Sequence, residues 1–410
     1  MTPFLQFILL LAIIIFAAKG AGYLVTRIGQ PSVLGELVMG LILGPSFLDI
    51  YHLPVFSEHL LPEMIAQMGE IGVLLLMFVA GLELHLSELA RAGRVSVSAG
   101  ILGVVIPVFS GFSVGRMFGF DVNQAIFLGL TLGATSVSIS AQTLMELNVL
   151  RSRVGLGLLG AAVFDDILVI LFVSGFLALV GGGQGIIAIG LLFLRMILFL
   201  GISAGFGLWI LPRIVRKISH LPISQSVLSL GLIILFLYGV AAEVLGSMAA
   251  ITGTFLAGLM FARSPEKERL ENGMSALAYS FFVPIFFINI GLSVNIRQLE
   301  PGVLWLFTGI SITAILGKLL GAGIGARLAG FPWREATQLG AGMVSRGEVG
   351  LILASVGIEQ RLLNQGEFSA IIGMVLVTTL ITPPMLRALF ARPKGTFMPA
   401  IESEQEEEIA

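Results

Sequence analysis

The chain is 410 residues long, with 56% hydrophobic residues, 12% charged residues and a mean hydropathy of +1.00. Soluble domains carry roughly 25% charged residues, so this composition excludes a soluble globular enzyme, a disordered chain and a nucleic-acid-binding protein. The formal net charge of −2 gives no sign of a polyanionic partner. The composition predicts an all-α polytopic membrane protein in a lipid bilayer.

Thirteen apolar runs are candidates for membrane-spanning helices, each of which needs roughly 20 mostly apolar residues. In chain order they cover about 3–26, 31–48, 64–84, 95–118, 122–148, 153–182, 186–212, 222–243, 244–262, 272–293, 302–326, 335–358 and 364–390. The stretch 222–262 is divided near Glu243 to Gly246, because one unbroken helix of that length would far exceed the bilayer. The first run lacks the cleavage site of a removable signal peptide, so we expect it to be retained as a span.

Basic residues are distributed unequally between the two sets of connections. Seventeen of the 23 lysines and arginines follow odd-numbered spans or lie at the C-terminus, and only Arg116, Arg297 and Arg361 lie in the opposite connections. Connections rich in lysine and arginine stay in the cytoplasm. We therefore expect a multi-pass protein of the inner (plasma) membrane with its N-terminus outside and its C-terminus inside. Residues 393–410 should form an acidic cytoplasmic tail.

Two sequence features recur seven spans apart. Spans 3 and 10 both end in an apolar run followed by Gly-Leu, and spans 5 and 12 both contain a polar, small-residue break, at 133–138 and 344–348. Seven is odd, so matching spans cross in opposite directions. The pattern predicts an inverted repeat of six helices with two broken crossing helices, an arrangement typical of secondary transporters. The two halves and the linker helix cover about 1–182, 222–390 and 186–212.

Two adjacent carboxylates, Asp165 and Asp166, lie in the middle of span 6. A charge at the bilayer centre costs at least about 2.5–3.5 kcal/mol, so it needs a function or a partner. Adjacent helix residues point about 100° apart, so one carboxylate can face a water-filled path and the other a protein partner. Lys318, in the middle of span 11, is the expected counter-charge, and such a buried pair is suited to proton exchange. The alternative is a purely structural ion pair.

The two predicted breaks carry further polar residues. Thr135 and Ser136 offer hydroxyl and freed carbonyl oxygens, which suit small alkali cations. Arg346 and Glu348 are two residues apart, so they can bind backbone ends and other charges, and a structural role suits them as well as ion contact. Four other charged residues are expected near span ends and are assigned no chemistry: Glu36, Glu70, Glu83 and Arg195.

The sequence contains no motif that indicates a bound cofactor. Cysteine is absent and the four histidines are scattered, which excludes a disulfide framework and thiol catalysis. Gly155 to Gly160 fits G-x-G-x-x-G, but that pattern binds a dinucleotide only at a strand-to-helix turn. Here it lies in an apolar run and indicates close helix packing. We therefore expect neither an enzyme nor a cofactor.

Six short stretches occur together and in order along the chain. They are Gln30-Pro31-Ser32-Val33-Leu34-Gly35-Glu36, Gly81-Leu82-Glu83-Leu84, Ala134-Thr135-Ser136, Phe164-Asp165-Asp166, Gly317-Lys318 and Ser345-Arg346-Gly347-Glu348-Val349-Gly350-Leu351. With them the chain resembles the membrane domain of the monovalent cation:proton antiporters, in the bacterial NapA-type and Kef-type branch. The resemblance spans residues 30 to 351.

The resemblance implies thirteen helices arranged as a core domain and a dimerisation domain, within an antiporter membrane domain at 1–392, and a homodimer. It implies that Asp166 binds the ion and that Asp165 pairs with Lys318. Sodium ligands would come from Asp166, Asp165 and Thr135, with Ser136 beside them. Arg346 and Glu348 would be supporting charges. The Asp-Asp pair is similar to the electrogenic sodium/proton members, whereas Kef-type potassium systems usually carry Gln-Asp.

The sequence is therefore interpreted as a secondary active transporter that exchanges sodium, with lithium as a further candidate, for protons by alternating access, in the service of pH homeostasis. One alternative is a potassium/proton antiporter of the Kef type. Others are a gated cation channel that uses the acids as a selectivity ring, and a non-transporting sensor. The buried Lys318 argues against the channel, because a fixed positive charge would block cation conduction.

Overall fold

A computed structural model describes residues 1–84, 92–180, 186–220, 222–295 and 303–391, and the regular secondary structure in these ranges is helical. The α-helices, in chain order, are α1 (Pro3–Arg27), α2 (Ser32–Leu43), α3 (Leu61–Leu82), α4 (Gly93–Met117), α5 (Val122–Gly133), α6 (Val137–Glu146), α7 (Arg153–Val180), α8 (Ile186–Gly205), α9 (Leu211–Ser219), α10 (Ser226–Val244), α11 (Ala250–Phe261), α12 (Lys267–Leu277), α13 (Val283–Leu292), α14 (Leu304–Leu328), α15 (Trp333–Gly342), α16 (Glu348–Glu359) and α17 (Gln365–Phe390). Short π-helical turns join α8 to α9 and α12 to α13.

The helices are long and apolar enough for a membrane protein. Within the described ranges, ten helical segments have the length and composition needed to cross a bilayer. Three shorter apolar helices cover Ser32–Leu43, Ala250–Phe261 and Val349–Ile358. The prediction of an all-α, multi-pass membrane protein is confirmed at this level.

Several bounds differ from those expected from the sequence. The second helix ends at Leu43 rather than near 48, because extended backbone at Gly44 stops it and Pro45 follows. Glu36 and Glu70 lie inside α2 and α3 rather than at helix ends. The stretch 222–262 forms two helices, as predicted, with α10 ending at Val244. The predicted acidic tail at 393–410 lies outside the described residues.

The helices pack as two groups. The first helix group consists of α1, α2, α3, α10, α11 and α13, which pack against one another. The second helix group consists of α4, α5, α7, α14, α15 and α17, with α4 and α14 at its centre. Small residues permit these contacts: a Cβ atom on Gly258 of α11 would lie 2.0 Å from the carbonyl oxygen of Phe78 on α3.

Candidate ion-binding site

Two interrupted helices cross at the centre of the protein. Backbone at 134–136 separates α5 from α6, and backbone at 343–347 separates α15 from α16. The N–H of Ser136 donates to the carbonyl oxygen of Ser345 at 2.9 Å, and the Ser345 hydroxyl donates to the carbonyl oxygen of Ser136. A Cβ atom on Gly347 would lie 2.6 Å from the Ser136 hydroxyl oxygen, so this approach requires glycine. The two breaks are thus joined backbone to backbone.

Arg346 is completely buried beside this crossing. Its guanidinium donates to the freed carbonyl oxygen of Ala134 and, at 3.3 Å, to the carbonyl oxygen of Ala314 on α14. The hydroxyl of Thr379 on α17 donates to the Arg346 carbonyl oxygen. Helix ends interrupted inside a membrane need partners for their backbone groups. Arg346 supplies one, which gives it a clear structural role.

Asp165 and Lys318 form an ion pair in the protein interior. Both side chains are fully buried, and the Lys318 ammonium donates to Oδ1 of Asp165. The Thr135 side chain lies beside the same carboxylate. Among the described residues no hydrogen-bond partner is found for the buried Oδ2 of Asp165.

Asp166 faces a different neighbour, as the 100° turn between adjacent helix residues requires. Its carboxylate is half-buried, and the hydroxyl of Thr252 on α11 donates to Oδ2 at 2.9 Å. Thr252 itself is 5% exposed. This hydrogen bond connects α7 in the second helix group with α11 in the first.

A cavity of about 660 Å³ leads to Asp166. Its walls come from α3, α7, α10, α11, α13 and α16. The wall is mainly apolar, but it also carries Asn289 and the exposed side chains of Glu70, Glu243 and Ser293. Acidic groups in a cleft with low-dielectric walls raise the local concentration of cations. The cavity therefore carries acidic side chains suited to attracting cations and ends at the carboxylate of Asp166.

The opposite side of Asp166 is closed by apolar packing. A void of only about 10 Å³ lies there, lined by Asp166, Thr252 and the apolar residues Met77, Val137, Leu159, Ala162, Val163, Ile251 and Phe255. Along α7, Leu159 to Val163 precede Asp166, whereas the cavity-lining stretch Val169 to Val173 follows it. Among the described residues, Asp166 thus borders the large cavity on one side and apolar packing on the other.

Residues 10–392 of the chain match the family model described as sodium/hydrogen exchanger, transmembrane. The chain belongs to the sodium/hydrogen exchanger family. Members of this family are secondary transporters, so this exchanger is not an enzyme.

Curated relatives resemble the exchanger along nearly the whole chain. It is 39% identical over 385 residues to the Na+/H+-K+ antiporter GerN of Bacillus cereus, covering 94% of this chain and 96% of the relative. It is 34% identical to a Na+/H+ antiporter of Enterococcus hirae, covering 93% and 98%. The solved structure of the sodium proton antiporter MjNhaP1 from Methanocaldococcus jannaschii at pH 8 matches with a TM-score of 0.66 and 18% identity, covering 94% and 97%. At that identity, the likeness supports a shared fold alone.

Thr135 and Ser136, two of the residues proposed from the sequence, lie at the crossing of the interrupted helices. Thr135 lies between Asp165 and the Arg346 guanidinium, which is 3.4 Å from its hydroxyl. Ser136 is fully buried at the crossing, and its hydroxyl lies 2.9 Å from that of Ser138. Glu348 begins α16, but its side chain lies outside the described residues.

Sequence patterns alone did not assign three residues near the site to it. Thr252 contacts Asp166, but as an uncharged residue in the run Ile251-Thr252-Gly253-Thr254 it gave no local signal. Glu70 and Glu243 were visible as charges among apolar residues. Only the packing of α3 and α10 around the cavity brings these two side chains to the route towards Asp166.

Proposed function

We propose that this exchanger moves sodium and protons in opposite directions across the membrane, with Asp166 as the carboxylate that carries either ion. The observation that carries the proposal is the position of Asp166 at the closed end of the cavity. The family match and the antiporter names of the relatives support the same activity. The transported ions are the substrates, and the exchange needs no cofactor.

Coupling would follow from competition for one carboxylate. A proton neutralises Asp166, and a partly dehydrated sodium ion compensates its charge, so either load allows the site to cross. An unloaded carboxylate would carry an uncompensated charge through a low-dielectric interior, which is costly. Sodium and protons would therefore cross in turn rather than together.

Lys318, which forms an ion pair with Asp165, would be a second proton carrier. When sodium binds, Asp165 would leave Lys318 and join Asp166 and Thr135 as a ligand, with Ser136 close by. Lys318 would then release its proton. Two protons would exchange for one sodium, so each cycle would move one net charge and the exchange would be electrogenic. The unpartnered Oδ2 of Asp165 among the described residues supports its recruitment as a ligand.

The packing pattern supports an inverted repeat of six helices within thirteen spans, with span 7 as the linker. α1 packs on α2 as α10 packs on α11, and α4 packs on α5 as α14 packs on α15. α3 packs on α11 as α13 packs on α2. In each comparison, every helix corresponds to a helix that lies seven spans away in the chain. With the N-terminus outside, as the basic residues indicate, the cavity would open to the outside of the plasma membrane.

The two helix groups suggest how access would alternate. The second helix group carries Asp165, Asp166 and Lys318 and would move against the first group, which would form the dimer scaffold. The homodimer rests on the resemblance to the antiporter family. Native mass spectrometry should detect two chains, and a monomer with full activity would contradict the scaffold role.

Potassium is the main competing substrate, because the relative GerN is named a Na+/H+-K+ antiporter. A cation channel is less compatible with the apolar closure on one side of Asp166. The deciding experiment is proton flux in proteoliposomes, driven in turn by sodium, lithium and potassium gradients. Flux with sodium and lithium supports the proposal. Flux with potassium alone favours the Kef-type activity, and no cation-dependent flux contradicts both.

A further inference from the structure

The hydrogen bond between Thr252 and Asp166 crosses the boundary between the two helix groups. α11, which carries Thr252, packs against α3 and α10, whereas α7, which carries Asp166, packs mainly against α4. The Asp165–Lys318 pair differs, because α7 and α14 both pack against α4 and belong to the same group. A movement of the second group would carry that ion pair along intact. The same movement would have to break the Thr252–Asp166 bond.

We propose that Thr252 is a latch that holds the unloaded site to α11 and thereby prevents an unloaded carrier from crossing. This inference rests on the proposed exchange function. Thr252 would be a positioning residue, and its role would be to set how tightly sodium movement is coupled to proton movement.

The physical basis is the dependence of this hydrogen bond on the load at Asp166. A hydroxyl bound to an ionised carboxylate makes a charge-assisted bond roughly twice as strong as one between neutral groups. A sodium ion or a proton on Asp166 compensates the carboxylate charge and weakens the bond. The latch is therefore strongest in the unloaded state, which must not cross if exchange is to remain coupled.

The hydrogen bond between Thr252 and Asp166 lies next to largely apolar packing. Thr252 and Asp166 both border the small void that is otherwise lined by apolar side chains such as Met77, Leu159 and Phe255. Polar interactions are stronger in such low-dielectric surroundings, and losing a partner there is costly. Thr252 is only 5% exposed, so its hydroxyl loses its partner in a buried position when the bond breaks.

Thr252→Val removes the hydroxyl and nearly preserves the side-chain shape. Thr254→Val is the matched control, because Thr254 is on the same helix and fully buried, and its hydroxyl donates only to the carbonyl oxygen of Ile251, at 3.0 Å, among the described contacts. Thr252→Ser restores a hydroxyl and should rescue the wild-type behaviour. Thr252→Ala serves as a second variant that lacks the hydroxyl if the valine variant is not recovered folded.

The test measures radioactive sodium efflux and proton uptake in the same proteoliposomes, and reports sodium ions moved per proton. Losing a hydrogen bond to a charged group changes an equilibrium by roughly tenfold or more, so unloaded crossing should rise by that order in Thr252→Val. The sodium-to-proton ratio should then rise in Thr252→Val and Thr252→Ala but stay at the wild-type value in Thr252→Ser and Thr254→Val.

Two results would overturn the latch. One is an unchanged ratio in both variants that lack the hydroxyl. The other is a higher sodium half-saturation concentration with the ratio unchanged, which would make Thr252 a sodium ligand instead. Failure of the wild type to exchange sodium for protons is a separate result, since it removes the proposed function itself and with it the basis of the latch.

Discussion

Ser136 and Ser345 lie in different interrupted helices, and the N–H of Ser136 donates to the carbonyl oxygen of Ser345 at 2.9 Å. The contact joins residues far apart in the sequence and fixes where the two breaks cross. Asp165, Lys318 and Arg346 lie around this point. The crossing therefore holds the charged groups of the proposed ion site in register, and its rigidity can be tested directly.

Replacing Gly347 with alanine should loosen the crossing. The added Cβ atom would lie 2.6 Å from the Ser136 hydroxyl oxygen and 2.8 Å from the Ser136 Cβ atom. Overpacking of this kind typically costs about 1–3 kcal/mol, so the thermal unfolding temperature in detergent should fall. Gly20→Ala is the control, because no atom lies within 4 Å of the corresponding Cβ position. Equal melting temperatures for both variants would show that the crossing accommodates the methyl group.

Asp166→Asn should abolish exchange while the fold is retained. The amide keeps the size of the side chain and can still interact with Thr252, but it has no charge for sodium or a proton to compensate. Sodium-dependent proton flux in vesicles measures the activity, and size-exclusion chromatography checks the fold. Wild-type flux in this variant would remove Asp166 from the mechanism.

Protons and sodium should compete. Lowering the pH loads the carboxylates with protons, so a higher sodium concentration is needed to displace them. The sodium concentration that gives half-maximal exchange should rise as the pH falls through the acidic limb of the activity profile. A half-saturation value that does not change with pH would indicate separate sites for the two ions.

Lys318→Gln should remove the voltage dependence of exchange before it removes all exchange. The variant lacks the amine that is proposed to release the second proton, whereas Asp166 can still bind either ion. One net charge per cycle corresponds to about 2.3 kcal/mol per 100 mV of membrane potential. Sodium-driven proton flux is measured in both proteins with and without a valinomycin-set potential.

The two proteins in that experiment have separate diagnostic outcomes. Voltage-independent flux in the wild type would contradict electrogenic exchange. Equal voltage dependence in both proteins would show that Lys318 is a structural partner of Asp165 and not a proton carrier. Because the unpaired Asp165 is buried, the thermal stability of Lys318→Gln is measured alongside.

Removing the cavity carboxylates should weaken sodium uptake from one side only. The double variant Glu70→Gln/Glu243→Gln should raise the half-saturation concentration for sodium supplied on the cavity side by up to about tenfold, with little change in maximal rate. The effect should shrink at high ionic strength, because salt screens these exposed charges. Glu63→Gln, also on α3 but outside the cavity lining, is the control. An equal effect from both sides of the membrane would contradict the steering role.

The sequence by itself determined the membrane environment, most of the helices and the presence of the two breaks. These properties depend on local composition: apolar runs are long enough to cross a bilayer, and polar small residues interrupt two of them. It also singled out Asp165, Asp166 and Lys318, because charges among apolar residues are conspicuous against their surroundings.

Only the tertiary structure decided what each of these groups contacts. Helix periodicity predicts that Asp165 and Asp166 face different ways, but the partners come from helices distant in the chain: Lys318 on α14 for one, and Thr252 on α11 for the other. Thr252 is uncharged, so it does not contrast with its neighbours as a charged residue does among apolar ones. Local sequence therefore could not select it. The cavity formed by six helices likewise exists only once they pack, which is why the route to Asp166 had to come from the structure.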